Sequence, residues 1–173
     1  MDKTPETLVT TYLEMTAPAQ FRPAFSNAPA VQVYRAKMPD VTLYRTLYHG
    51  VGEAWRWRDR LLLSDSELAA ALAEPGREVH VLYVDSAPAG YVELVLADNA
   101  VEIAYFGLFP AYLGRGLGKH LLSCGIERAW AMGGERVWLH TCNLDAPHAL
   151  ANYIKRGFTV HYVDEKPMPE RYR

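Results

Sequence analysis

The stretch FGLFPAYLGRGLGKHLL, residues 106–122, joins two kinds of periodicity. Before it, EVHVLYVD, AGYVELVLA and VEIAYFGLF alternate apolar and polar positions, the period of half-buried strands, separated by a Ser-Ala-Pro turn and an Asp98-Asn99 turn. Beyond Pro110 the period becomes helical, with Leu117, Leu121, Gly125 and Ala129 on one line and Leu122, Ile126 and Trp130 beside it, up to Gly133-Gly134. The junction is Gly114-Arg115-Gly116-Leu117-Gly118-Lys119. Glycine at every second position lets a ligand reach the backbone, and the free amides of a helix start point at whatever sits there. The helix dipole, Arg115 and Lys119 add positive charge, so a phosphate or pyrophosphate is the expected guest. The spacing is neither a Walker A loop nor a dinucleotide GxGxxG, and alone it leaves a ligand-free turn equally open.

On either side the same reasoning extends the pattern. RVWLHTC (136–142) reads as a strand, PHALANYIKR as a helix opened by Asp145 and Pro147 and closed by Gly157, and FTVHYVDE as a last strand. Upstream, VQVYRA (31–36) alternates as a strand and VTLYRTLYHGVG returns Leu43, Leu47 and Val51 at helical spacing. Ser64-Asp65-Ser66-Glu67 forms a capping box that starts a second helix running to about Ala73. At the amino end, Thr4-Pro5 followed by Leu8, Tyr12 and Met15 predicts a short amphipathic helix, and APAQFRPAFSNAPA (17–30) an extended surface arm. The expected fold is therefore a mixed, mostly antiparallel α/β sheet flanked by helices, with residues 1–30 as an N-terminal helix and proline-rich arm and 31–173 as the body of a single domain.

Composition narrows the function. Half of the 173 residues are drawn from AVILMFWYC, enough for a sizeable core, and 18 Lys and Arg against 20 Asp and Glu give a net charge of −2. That balance argues against a protein that grips nucleic acid by neutralising phosphates. The longest uncharged stretches, 23–34 and 103–114, fall short of the roughly 20 apolar residues of a spanning helix and both contain proline. With no signal-like amino terminus the chain reads as cytoplasmic, without membrane partners. Cys124 and Cys142 form no CxxC pair, so they read as reduced thiols and no metal is expected.

Two blocks in order, the glycine loop and Asp145, Pro147, Ala149, Tyr153, Gly157 and Phe158 in the pattern D-x-P-x-A-x-x-x-Y-x-x-x-G-F, resemble the GNAT superfamily of N-acetyltransferases over about residues 31–165. The resemblance implies acetyl-CoA as co-substrate. The amides of Gly114, Arg115, Gly116, Leu117, Gly118 and Lys119 would cradle its pyrophosphate. The backbone of Gly107, Leu108 and Phe109 would pair with the pantetheine arm, and Tyr153 would protonate the departing thiolate. Gly107, inside an apolar strand, fits a bulge or a close backbone approach. Leu113 departs from the family's usual Gln or Arg, which is expected to alter loop anchoring. Asp145, where an asparagine is common, is read as a helix cap.

Acetyl transfer to an amine needs a proton acceptor. If Asp98-Asn99 is a two-residue turn, Ala97 faces Ala100, Val95 faces Glu102 and Glu93 faces Ala104, with both carboxylates on one sheet face. Glu102 is the expected base and Glu93 an acceptor-side carboxylate. Trp55, Trp57 and Arg58 lie where the family contacts its acceptor, and the aromatic faces suit a flat or cationic amine. His140 and His148 receive no role. No nucleophilic triad is visible, so direct transfer in a ternary complex to a small-molecule or peptide amine is expected. A catalytically silent acyl-CoA-binding module is the alternative. The sequence fixes neither the acceptor nor whether the chain forms an oligomer.

Overall fold

In the computed structural model, which describes residues 3–173, the chain runs β1 (Thr7–Met15), β2 (Val31–Arg35), α1 (Val41–Gly52), α2 (Asp65–Leu72), β3 (Arg77–Val84), β4 (Ala87–Ala97), β5 (Ala100–Leu108), α3 (Leu117–Ala131), β6 (Arg136–Cys142), α4 (Ala149–Lys155) and β7 (Thr159–Pro167). The strands form one seven-stranded sheet in the order β2-β3-β4-β5-β6-β1-β7. Every neighbouring pair is antiparallel except β5 and β6. The meander of β3, β4 and β5 is the one expected, and Ala97 pairs with Ala100 across Asp98 and Asn99, both at positive φ as a type I′ turn requires. The preceding turn lies at Asp85-Ser86 instead of Ser-Ala-Pro. Both residues take positive φ, and Pro88 sits inside β4 where the register slips, a place where its missing N–H costs no ladder bond.

The amino-terminal segment corrects the sequence reading. Residues 7–15 are a strand, not a helix, and they are inserted between β6 and β7. Leu8, Tyr12 and Met15 match a helical period, but Thr7, Val9, Thr10, Thr11 and Tyr12 favour extended backbone, and from Thr10 to Glu14 the strand is paired on both edges. Leu13 and Met15 are fully buried beside Val137 and Leu139, so residues 1–30 are not an appendage to the body of the fold. The arm that follows is extended as expected and crosses α3. Ala24 N donates to Ser123 Oγ at 2.9 Å and Ser26 N to His120 Nδ1 at 2.9 Å.

Two apolar layers cover the sheet. One side packs α3, with Leu121, Leu122 and Ile126, and Tyr153 of α4 against Leu94, Val101, Ile103 and Leu139. The other packs α1, with Tyr44, Leu47, Tyr48 and Val51, and Leu68 and Leu72 of α2 against Val79, Val81 and Tyr91. α2 carries the capping box: Glu67 N donates to Ser64 Oγ and Ser64 N to Glu67 Oε1, each at 3.2 Å. No helix among the described residues is long and apolar enough to cross a membrane.

Candidate active site

The site is made by strands that stop pairing. β5 and β6 touch only through Ala100–Arg136, Val101–Val137 and Glu102–Trp138, after which both continue, to Leu108 and Cys142, each held by its other neighbour. A bulge explains the parting. On β4, Leu94 faces Ile103 but Glu93 faces Tyr105, so Ala104 is the extra residue, two positions past the last β5–β6 pair. A bulge bends its strand, and here it turns β5 away from β6. Between them lies a cavity of about 390 Å³. At one end it is bordered by Leu113, Gly118, Asn152 and Tyr153, from the glycine loop's approach, the α3 start and α4, and at the other by Trp55, Trp57, Asp59 and Tyr172. Because those two groups of elements cover opposite sides of the sheet, the cavity runs through it.

The glycine loop keeps the features of an anion site. Gly116, at φ +74°, precedes α3 and offers no side chain to cap it, so the first amides of the helix have no side-chain partner. Gly114 shares that φ, and a Cβ there would meet nothing within 4 Å. Arg115 and Lys119 are exposed, with the Arg115 guanidinium over the Tyr112 ring at 5.5 Å. Leu113 and Gly118 border the cavity, whereas the Leu117 side chain is buried in the core and contributes only its backbone. An open, positively charged helix start leading into a gap between strands fits a phosphate-bearing ligand with an extended arm.

Gly107 and Leu108 line the gap. The glycine serves a different neighbour from the expected ligand, since a Cβ at Gly107 would lie 2.3 Å from Val51 Cγ1 and α1 could not pack there. Phe109 departs from the expectation too: its N–H is already donated to Ala89 O at 2.8 Å and its ring lies against Gly50 of α1, outside the cavity lining.

Tyr153 and Glu102 both line the cavity. Tyr153 sits on α4 with its ring edge-on to Phe106 and Phe158, and its hydroxyl bonds to no protein group among the described residues. Burial, and then Asp145, push that hydroxyl above the ordinary tyrosine range, so it holds its proton at neutral pH. Burial also raises the Glu102 carboxyl, opposed by His140 and Arg77. His140 Nε2 lies 3.9 Å from Glu102 Oε1 and is half exposed, so an imidazole in contact with solvent stands beside the carboxylate.

Glu93 corrects the sequence reading. It shares the sheet face of Glu102 but is fully buried. Its Oε1 accepts from Tyr44 OH at 2.6 Å, and its Oε2 accepts from Arg60 at 2.9 Å and from Arg77. Both its oxygens are engaged within the fold and it is not part of the cavity wall, so it does not face an acceptor. Trp55 and Trp57 do line the cavity, with Trp57 packed against Tyr48 and Tyr105. Arg58 does not; it precedes a 3-10 turn, Asp59–Leu62, and points elsewhere. Asp145 is no helix cap either. It accepts from Thr141 OH at 2.5 Å and Cys142 N at 3.0 Å, tying the end of β6, while His148 precedes α4. Sequence reasoning missed Tyr105, Arg60, Arg77 and Tyr172. Only Tyr105 carried a signal, as the strand neighbour of Gly107.

The sequence profile of the acetyltransferase (GNAT) family matches residues 42–158. A mycothiol acetyltransferase of Corynebacterium glutamicum (strain R) is 44% identical over 68 residues, 38% of this chain and 23% of its own length. The chain thus spans about a quarter of the length of the curated relatives it matches. Among solved structures, a GCN5-related N-acetyltransferase from Sphaerobacter thermophilus superposes with a TM-score of 0.68 at 16% identity, covering 94% of this chain and 52% of its own. An acetyltransferase from Bacillus subtilis in complex with CoA gives 0.55 at 22% identity, covering 75% and 76%. These last two likenesses are of fold. With the family profile spanning more than half the chain, the protein belongs to the GNAT family of acetyltransferases.

Proposed function

We propose that the protein is an N-acetyltransferase that uses acetyl-CoA to acetylate a primary amine directly, in a ternary complex. The observation that carries this reading is the cavity through the sheet, with a carboxylate and a protonated phenol both on its wall. Acetyl-CoA, when bound, supplies an activated thioester. The uncapped amides of α3 and Lys119 would hold its phosphates, and the edge of β5 freed by the Ala104 bulge would align its arm. Glu102, its carboxyl raised by burial, is suited to take a proton from the acceptor's ammonium at Oε1 or Oε2 and pass it towards His140 and solvent. Tyr153 holds a proton on its hydroxyl for the leaving sulfur. With the ammonium's first proton taken by Glu102, attack by the free amine nitrogen forms the C–N bond as the C–S bond breaks; Tyr153 protonates the departing thiolate, and the second proton shed by the acetylated nitrogen restores the Tyr153 hydroxyl.

The testing experiment incubates the protein with acetyl-CoA and a panel of primary amines and reads products by mass, together with the melting temperature in CoA. A ligand that binds only the native state raises that temperature by mass action. Product on at least one amine, with a CoA-dependent rise, is expected. A CoA-dependent rise without any product would favour the silent binding module, and no rise at millimolar CoA would refute both.

A further inference from the structure

The stretch Trp55-Arg56-Trp57-Arg58-Asp59 does more than line the cavity. Arg56, held in the left-handed region at φ +59°, donates to the Tyr172 carbonyl at 2.8 Å and to the Thr4 hydroxyl. Asp59 accepts from Arg171 Nε at 2.6 Å and from the Tyr172 hydroxyl at 3.1 Å through Oδ1 and 3.0 Å through Oδ2. The Arg171 guanidinium lies 4.6 Å from the centroid of the Tyr172 ring. Upstream, Met168 is buried and its N–H donates to Glu6 O at 2.8 Å. The segment after β7 is therefore fastened at both ends, and the Tyr172 ring is fixed through its hydroxyl, its carbonyl and one face. It is part of the cavity wall, at the end away from the glycine loop.

We propose that Tyr172, held by Asp59 and Arg56, is a specificity-determining residue: it closes the outer wall of the acceptor end and restricts the acceptor to a small amine with a narrow apolar or aromatic body. Three features of the site lead there. The cavity of about 390 Å³ lies at the low end for a drug-sized ligand and must take both the co-substrate arm and the acceptor. The side chains around the outer end are Trp55, Trp57, Tyr48, Tyr105 and Tyr172, which offer flat apolar surface to a slender molecule. Of the charges nearby, Arg60 is paired with Glu93 and Asp59 with Arg171, and the Arg56 guanidinium is spent on the Tyr172 carbonyl and the Thr4 hydroxyl, so the wall recognises shape more than charge. A polypeptide acceptor would have to displace the Arg56 and Asp59 bonds together.

This inference rests on the acetyl-transfer reading for the identity of the acceptor end, and the experiment separates the two. Primary amines of increasing bulk, from propylamine through phenethylamine to a tripeptide with a free amino terminus, are titrated calorimetrically into the protein with and without CoA. Their turnover is measured alongside. In the parent, the small amines should bind best. Tyr172→Ala should raise the ratio of tripeptide to propylamine affinity at least about tenfold, and Asp59→Asn should move it the same way by a smaller factor. CoA affinity should stay within twofold in both. Asp59→Asn leaves the ring in the chain, so agreement between the variants separates a released wall from a folding defect, which the melting temperature reads directly. An affinity ratio that neither variant changes by more than twofold, or a parent that prefers the tripeptide, would overturn the proposal. Selective amine binding without any turnover would instead count against acetyl transfer and leave the wall standing.

Discussion

Glu93→Gln should cost the protein stability, not chemistry. One oxygen of Glu93 serves two guanidiniums, those of Arg60 and Arg77, whose side chains are only 11% and 12% exposed, and the other accepts from Tyr44. The amide of glutamine can keep its carbonyl oxygen towards the arginines and turn its NH2 to the Tyr44 hydroxyl, so the hydrogen bonds survive in number. The charge does not. Arginine cannot shed its proton, so both cations remain. Arg77 keeps Glu74 at 3.1 Å, a half-exposed partner, whereas Arg60 retains only the rings of Tyr44 and Tyr105 at 5.6 and 5.4 Å. Breaking a buried pair from one side costs about 3–5 kcal/mol, and the rescue by Glu74 points to the lower end, about 3 kcal/mol. For a domain of this size that is roughly 6–12 °C of melting temperature, at about 2–4 °C per kcal/mol. Thermal unfolding followed by circular dichroism, paired with turnover well below the transition, reads both effects. A melting temperature within about 2 °C of the parent, with activity collapsed, would refute the reasoning and return Glu93 to the acceptor.

Glu102→Gln, whose carboxyl is partly exposed, should leave the melting temperature nearly unchanged. The rise of kcat/KM with pH through the raised Glu102 value should disappear, because a raised carboxyl becomes an available base only above that value. Tyr153→Phe should lower kcat about 10²-fold with CoA affinity unchanged; normal turnover would make the tyrosine structural. Gly116→Val forces a β-branched residue to φ +74° at the start of α3 and should abolish the CoA-dependent rise in melting temperature while the unliganded protein stays folded. Acid should weaken the fold through Glu78, which hydrogen bonds from Arg128 at 2.8 and 2.7 Å hold down to about 2 against the opposing effect of burial. A depressed carboxyl stabilises the native state above its unfolded value, near 4.5, and that contribution is lost as pH falls from about 5 towards 2. With Arg128 41% exposed, screening reduces the contribution to on the order of 2 kcal/mol, and Arg128→Ala should narrow the gap between urea midpoints at pH 6 and pH 2.5.

The elements legible in the sequence are those whose period and boundary residues agree. α2 announces itself because Ser64 and Glu67 cap each other whatever lies around them, and the β4–β5 hairpin because Asp98 and Asn99 tolerate positive φ. β1 was misread because a nine-residue segment can satisfy two periods at once. Its helical spacing at Leu8, Tyr12 and Met15 competes with a run of β-branched residues, and the decision belongs to β6 and β7, which supply hydrogen bonds that the local sequence does not encode. The whole of β7 is exposed, so its alternation carries no burial signal; it is a strand because β1 is beside it.

The candidate site was legible where backbone chemistry sits in consecutive residues, as in the loop from Gly114 to Lys119, and illegible where it depends on which strands part. Counting outward from a two-residue turn places Glu93 opposite Ala104, whereas the structure places it opposite Tyr105. That single residue of error is the bulge at Ala104, and the same bulge ends the pairing of β5 with β6 just after Glu102. It also turns Tyr105 onto the sheet face of Glu93, where its ring packs edge-on to Tyr48 and tilted against Trp57 and lies beneath the Arg60 guanidinium. One inserted residue therefore opens the gap, leaves Glu102 as the last paired residue at its edge, and builds the aromatic side of the acceptor end. Deleting Ala104 should restore the uninterrupted ladder and extend the β5–β6 contact, closing the gap, while Tyr105 stays opposite Glu93 and Gly107 opposite Tyr91. With Ala104 kept and drawn into a regular ladder, Phe106 would instead take the place of Gly107 opposite Tyr91 and against Val51, a position with no room for even a Cβ. With all its residues present the strand must therefore bulge for α1 to pack, and the gap beside Glu102 follows from that bulge.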